Sequence, residues 1–102
     1  MKKYNFNFGT KFQKIVWNII ANIPMGKIMT YQELAIKIGR PKSFRAVASA
    51  CAKNPYVPEI PCHRVVRKDG YLGGYSAKGG IKRKKYLLQK EGHKFNNDKI
   101  IL

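Results

Sequence analysis

The chain has 102 residues, enough for one small domain with a core and too few for two ordinary ones. Apolar residues make up 44% of it, which excludes a disordered chain; no apolar run reaches membrane-span length, and no signal-peptide core follows the basic Met1-Lys2-Lys3. Twenty-one Lys plus Arg against five Asp plus Glu give a formal charge of +16, a self-repelling excess that points to a polyanionic partner: nucleic acid first, with ribosomal RNA and acidic lipid left open.

In chain order, Thr10-Lys11-Phe12-Gln13 reads as a capping box, followed by apolar residues at helical spacing: Phe12, Ile15, Val16, Ile19 and Ile20. Pro24 and Gly26 should end that helix. A second capping box, Thr30 to Glu33, opens a short helix with Tyr31, Leu34, Ala35 and Ile38 on one face. Gly39-Arg40-Pro41-Lys42 is a turn, and Ser43 is the expected N-cap of a third helix running to about Lys53. Two short helices across a Gly-containing turn make a helix-turn-helix pattern. On the third helix Phe44, Val47, Ala48 and Cys51 fall on the core face. Arg45, Ala46, Ser49, Ala50, Ala52 and Lys53 are left outside, a face of small residues bracketed by cations that suits close approach to another backbone.

The Pro-rich stretch from Pro55 to Pro61 forbids helix and stiffens the path. Lys68-Asp69-Gly70 between His63–Arg67 and Tyr71-Leu72 predicts a β-hairpin. Gly73 to Gly80 reads as a loop, and a last helix should run from about Gly80 through Lys84, Leu87 and Leu88 to Glu91, with Gly92 as its stop. The tail ending Ile100-Ile101-Leu102 either docks on the domain or frays. The expected fold is mainly α, a winged-helix-like helix-turn-helix with a small β-hairpin and a C-terminal helix, in one domain spanning 1–102.

Cys51 lies in register with a core face, where a thiol acts as a small hydrophobe. Cys62 leaves a rigid loop outside any helical pattern, with His63 and Arg64 beside it. A free thiol is only a few per cent thiolate at neutral pH, so a nucleophilic cysteine needs a base or positive charge close by. Adjacent Cys and His on an extended segment point opposite ways, so a dyad here requires a kinked backbone or a water relay. The spacings of Cys51, Cys62, His63 and His93 match no usual zinc pattern, and neither metal nor cofactor is expected. The lesser rival readings are His63 as a structural histidine, Glu91 as a lysine partner, Tyr31 as core packing and Arg45 as a phosphate contact.

Ile60-Pro61-Cys62-His63-Arg64-Val65-Val66 resembles the active-site motif of the O6-alkylguanine-DNA alkyltransferases, the methylated-DNA–protein-cysteine methyltransferases. The resemblance runs from about Phe8 to Gly92 and takes in Tyr31 to Leu34, Arg45-Ala46-Val47, Asn54-Pro55, Gly74-Tyr75-Ser76, and Leu87-Leu88 with Glu91. It corresponds to the family's C-terminal active-site domain. The resemblance implies that Cys62 accepts the alkyl group irreversibly, once per molecule. His63 takes the thiol proton through a water, and Glu91 orients the imidazole. Asn54 braces the turn that carries the cysteine. Tyr31 donates a hydrogen bond to the leaving guanine and helps rotate a phosphate. Backbone groups at Cys62, Val65 and Ser76 read the flipped base, and Tyr75 forms part of the pocket wall. Arg45 fills the gap in the duplex, and the helix of Ala46 and Ser49 lies in the minor groove of double-stranded DNA containing O6-alkylguanine.

Most members carry a further domain ahead of this one, whereas about nine residues precede the first helix here. Alkyltransferase-like proteins share the shortness but replace the cysteine. Ala77-Lys78 lengthens the loop after Ser76. The expected protein is a cytoplasmic, monomeric DNA-repair methyltransferase. A non-catalytic sensor of alkylated DNA and a generic basic DNA-binding protein are the rivals.

Overall fold

The computed structural model describes residues 4–56, 58–75 and 78–101. Its helices are α1 (Lys11–Ala21), α2 (Tyr31–Lys37), α3 (Phe44–Ala52) and α4 (Gly80–Lys90). Four two-residue strands accompany them: β1 (Met29–Thr30), β2 (Val65–Val66), β3 (Phe95–Asn96) and β4 (Lys99–Ile100). The fold is thus a mostly helical small domain, and α2, the turn at Gly39 and α3 form the helix-turn-helix.

Both capping boxes are complete. Thr10 Oγ1 accepts from Gln13 N at 3.1 Å while the Thr10 N–H donates to Gln13 Oε1 at 2.9 Å. Thr30 and Glu33 repeat the exchange at 3.0 and 2.9 Å. Each box satisfies two backbone donors that the helix itself cannot, which is why these boundaries form where the sequence places them. Ser43 precedes α3 as expected but makes no side-chain cap bond, because its backbone (φ −95°, ψ 24°) is already near-helical.

Helices α1 and α2 both pack on α3, around Val16, Trp17, Ile20, Leu34, Ala35 and Val47, all fully buried. The indole of Trp17 donates to the Ala50 carbonyl at 2.9 Å, and this contact pulls Ala50 inward to 2% exposure. The outward face of α3 therefore consists of Arg45, Ala46, Ser49 and Ala52, without Ala50. Phe6, Phe8 and Tyr56 enclose the indole. Gly9 (φ +101°) lets the N-terminal segment cross it, since a Cβ there would lie 2.5 Å from the ring. Trp17→Phe keeps most of the apolar volume but removes the indole bond from the buried Ala50 carbonyl, which keeps Lys53 N at 3.2 Å. The expected cost is about 0.5–1.5 kcal/mol, read as a lower denaturant midpoint at unchanged m-value.

The hairpin expected around Lys68-Asp69-Gly70 does not form as such. The turn is present, with Arg67 N donating to Tyr71 O at 2.9 Å, but its two arms find other partners. Val65 and Val66 pair in parallel with Met29 and Thr30, and Tyr71 bridges to Lys99. The small hairpin lies instead in the tail, where β3 and β4 pair antiparallel about Asn97, which takes the left-handed conformation (φ 57°). The tail docks: Ile100 is buried with Val66, Leu72 and Leu88 in a second apolar cluster. Among the described residues no helix is long and apolar enough to cross a membrane.

Candidate active site

The Pro-rich segment delivers Cys62 into a 3-10 turn, Cys62–Arg64, so the extended path that would send Cys62 and His63 to opposite sides is replaced by a tight bend. Asn54 holds this bend from the end of α3. Its Nδ2 donates to Ile60 O at 2.8 Å and to Cys62 Sγ at 3.0 Å, while its Oδ1 accepts from Tyr56 N at 2.8 Å. With both ends of the amide engaged, its orientation is fixed, and an N–H faces the sulfur. The Cys62 thiol also reaches the Cys51 carbonyl at 3.4 Å.

The two cysteines interact, and their acidities move apart. The Cys62 thiol is lowered, chiefly by its hydrogen bond with the Cys51 thiol, and further by Asn54 and the Lys84 charge, against burial. The same bond, with burial, holds Cys51 well up, so Cys62 is the more readily ionised of the two sulfurs. Cys51 is therefore more than the core hydrophobe its helical register suggests.

Beneath the cysteine, His63 Nε2 contacts Glu91 Oε2 at 2.9 Å. Arg64 grips the same carboxylate with Nε and Nη2, at 2.9 and 2.8 Å, and donates from Nη1 to Ile23 O at 2.7 Å. Burial works to raise the Glu91 carboxyl, but the bonds from Arg64 and His63 outweigh it and bring it down to about 2. An ionised carboxylate only accepts, so the His63 proton sits on Nε2 and the lone pair on Nδ1. Nδ1 is buried and has no partner among the described residues. Burial lowers the imidazole's own pKa, more than Glu91 raises it, and His63 is accordingly neutral near pH 7. These are the properties of a poised base oriented by a third group.

Above the cysteine opens a cleft of about 880 Å³. Its walls include Cys62, Cys51, Tyr31, Tyr75, Gly73 and Arg45. Tyr31, at the start of α2, is buried, and burial raises its hydroxyl far above the ordinary value, with the nearby cysteines adding to the effect. It is a neutral donor throughout the physiological range. Gly73 (φ +72°) lies close against it, and a Cβ there would come 3.1 Å from the hydroxyl oxygen. Tyr75 is half-buried, its hydroxyl also raised by burial.

Lys84 is the site residue that the sequence conceals. Its side chain is fully buried, and Nζ donates to the carbonyls of Leu72 and Gly74 (3.2 Å for the latter) and to the Tyr31 hydroxyl at 3.4 Å. Burial pulls the ammonium down to about 8, against the pull of the two cysteines, so it is still mostly charged at neutral pH. Because Lys84 donates to the Tyr31 oxygen, the tyrosine's own proton is free to serve a different acceptor. In the sequence Lys84 is one of several lysines on α4. Its only mark is helical spacing, four residues before the buried Leu88 and seven before Glu91.

The structure thus bonds Cys62 to Asn54 and, separately, His63 to Glu91, with Cys62 and His63 neighbours on one 3-10 turn, and brings Cys62, Tyr31, Tyr75 and Arg45 to one cleft. Ala46 and Ser49 are exposed on the outer face of α3. Val65 does not line the cleft: its side chain is fully buried and its N–H is used on Cys62 O. Ser76 and Ala77 lie outside the described residues.

Residues 11–93 match the model of the 6-O-methylguanine DNA methyltransferase, DNA binding domain. A methylated-DNA–protein-cysteine methyltransferase of Salmonella typhimurium is 46% identical over 85 residues, 83% of this chain and 48% of that protein. Curated relatives are matched over only part of their length, from 23% to 53% in the cases compared. Among solved structures, the Mycobacterium tuberculosis OGT in complex with DNA superposes with a TM-score of 0.78 at 45% identity, over 82% of this chain and 50% of that one. S. pombe Atl1, in complex with damaged DNA containing O6-carboxymethylguanine, gives 0.74 at 28% identity, over 88% of this chain and 85% of that one. With the family model matched over most of its length, the chain belongs to the 6-O-methylguanine DNA methyltransferases through their DNA-binding domain.

Proposed function

We propose that this chain repairs DNA by moving an alkyl group from O6 of guanine to Cys62, once per molecule. The observation that carries the proposal is a 3-10 turn on which Cys62, bonded by Asn54, is followed directly by His63, bonded through Glu91 to Arg64. Sγ forms a bond to the alkyl carbon as the carbon–O6 bond breaks, and the electron pair stays on guanine O6. The Cys62 proton passes to His63 Nδ1 by way of a water, and the imidazolium is balanced by Glu91. Tyr31, its oxygen held by Lys84, directs its proton at the departing base. Among the described residues no group stands ready to cleave the resulting thioether, so the reaction ends there.

A base inside a duplex cannot reach a sulfur that is 5% exposed, so the nucleotide must leave the stack. That costs a few kcal/mol, less for an alkylated base with weakened pairing. The net charge of +16 supports binding to the phosphate backbone. The small outer face of α3 at Ala46 and Ser49 suits a minor groove that excludes bulky side chains. Arg45, exposed at the cleft's edge, fills the gap left by the extruded nucleotide. Arg45→Ala is expected to weaken binding to lesion-containing duplex by about 1–3 kcal/mol while leaving transfer from the free base O6-methylguanine nearly unchanged. Fluorescence anisotropy and free-base kinetics read the two separately.

The deciding experiment is intact-protein mass after incubation with duplex DNA containing O6-methylguanine. One added methyl group per chain, mapped to Cys62, is the expected result. The similarity to Atl1 over most of its chain favours a second reading, a lesion sensor that does not react. Preferential binding to the lesion with no mass change would establish that instead.

A further inference from the structure

Both cysteines are free thiols, both are buried, and both open onto the same cleft. One belongs to α3 and the other to the 3-10 turn, and Asn54, the residue that pins them, is bonded to the turn from the end of α3. Cys62 Sγ lies 3.4 Å from the Cys51 backbone carbonyl, and Asn54 bonds both residues, its N–H to Cys51 O at 3.2 Å and its amide to Cys62 Sγ at 3.0 Å. The mechanism proposed above consumes Cys62 and makes no bond to the Cys51 sulfur. We infer that Cys51 and Cys62 form a reversible oxidation site, in which a small hydroperoxide entering the cleft converts the two thiols to an intramolecular disulfide.

The step balances without further reagents. The Cys62 thiolate attacks one oxygen of the hydroperoxide; the O–O bond breaks, hydroxide or alkoxide leaves, and Cys62 becomes a sulfenic acid. The Cys51 sulfur then attacks the Cys62 sulfur. An S–S bond forms, the S–O bond breaks, and water leaves with the Cys51 proton. Two electrons have passed from two thiols to the peroxide, and any dithiol reductant returns them by exchange. The division of labour follows from the environment: Asn54 and the Lys84 charge favour the anion on Cys62, and Cys51 keeps the proton that the leaving hydroxyl needs. The bond to be made is an S–S bond of about 2.05 Å between the end of α3 and the turn that Asn54 ties to it. The cleft admits a peroxide but not a second protein, which favours the internal partner over a disulfide between chains. A disulfide here occupies the alkyl-accepting sulfur without destroying it, whereas a sulfur without a resolving neighbour proceeds to irreversible sulfinic acid.

The inference goes beyond the repair reading and does not depend on it, and its test uses no DNA. The reduced full chain is treated with equimolar hydrogen peroxide, blocked with N-ethylmaleimide under denaturing conditions and weighed intact. A loss of two hydrogens with no maleimide adduct is expected, and dithiothreitol should restore two adducts. Trypsin cuts after Arg45, Lys53 and Arg64, placing Cys51 on peptide 46–53 and Cys62 on peptide 54–64, so the bond appears as one linked pair that separates on reduction. Cys51→Ser, given at least three equivalents of peroxide, should instead yield Cys62 carrying two or three oxygens, not recovered by dithiothreitol. The inference is overturned if wild type accumulates oxidised Cys62 while Cys51 still takes maleimide, if the disulfide joins two chains, or if both thiols survive the peroxide.

Discussion

Cys62→Ser should abolish alkyl transfer, with a loss on the order of 10⁴-fold or more, while binding to lesion-containing DNA stays within about threefold. The hydroxyl is almost isosteric with the thiol and can still accept from Asn54 Nδ2, so the turn keeps its shape. What disappears is a sulfur whose anion is accessible near neutral pH. Neither Asn54 nor Lys84 can bring a serine hydroxyl, with its far higher pKa, into that range. Intact mass after incubation with O6-methylguanine duplex should show no adduct, and anisotropy with the same duplex should show retained affinity. An adduct on the serine variant would mean that another residue accepts the group.

Glu91→Gln should fail twice over. The amide can still touch His63 and Arg64, but it carries no charge. The imidazolium formed when His63 takes the Cys62 proton is then left uncompensated, and the transfer rate should fall about 100- to 10,000-fold. Arg64 meanwhile loses a two-pronged partner, with its side chain only 14% exposed. Breaking such a pair from one side costs toward the lower end of about 3–5 kcal/mol, much of a small domain's stability. The acid limb of the stability curve gives a sharper signature. The Glu91 pKa is depressed in the fold, to about 2, so its contribution is complete above the carboxyl's ordinary value of 4.5 and is lost as pH falls through about 2. His63, also depressed by burial, adds a loss on the acid side of its ordinary value of 6.5. In the variant the lower window should flatten and the upper one persist, as denaturant midpoints measured across pH would show.

The parts of this molecule legible in its sequence are those whose cause is local. Thr10 with Gln13 and Thr30 with Glu33 announce their helices because each capping box is closed within four residues. Cys62, His63, Asn54 and Glu91 were marked by resemblance, and their bonds to one another are visible only in the fold. Non-local causes escaped. Asp69-Gly70 does make its turn, but the arms were claimed by strands elsewhere in the chain, which no window around the turn contains. Ala50 looked outward until Trp17, on another helix, took its carbonyl. Lys84 looked like one more basic residue on a lysine-rich helix, since burial of a cation depends on carbonyls contributed by a separate loop. Tail residues 95–100 carry too few apolar positions to declare a hairpin, which exists because Ile100 finds Val66, Leu72 and Leu88.

The two-residue ladder between β1 and β2 has a further consequence, for the order in which the molecule comes together. It is the short splint that sets Tyr31, immediately after β1, against Cys62, three residues before β2. Met29 and Val65, its first partners, are separated by the whole helix-turn-helix and all of the Pro-rich segment. Closing so long a loop costs entropy before any reward arrives, whereas the backbone bonds within α1, α2 and α3 each close over four residues. During refolding, helical circular dichroism should therefore recover before the cleft does. A fluorogenic thiol reagent, added at increasing delays, should find Cys62 acquiring its native reactivity in a later phase.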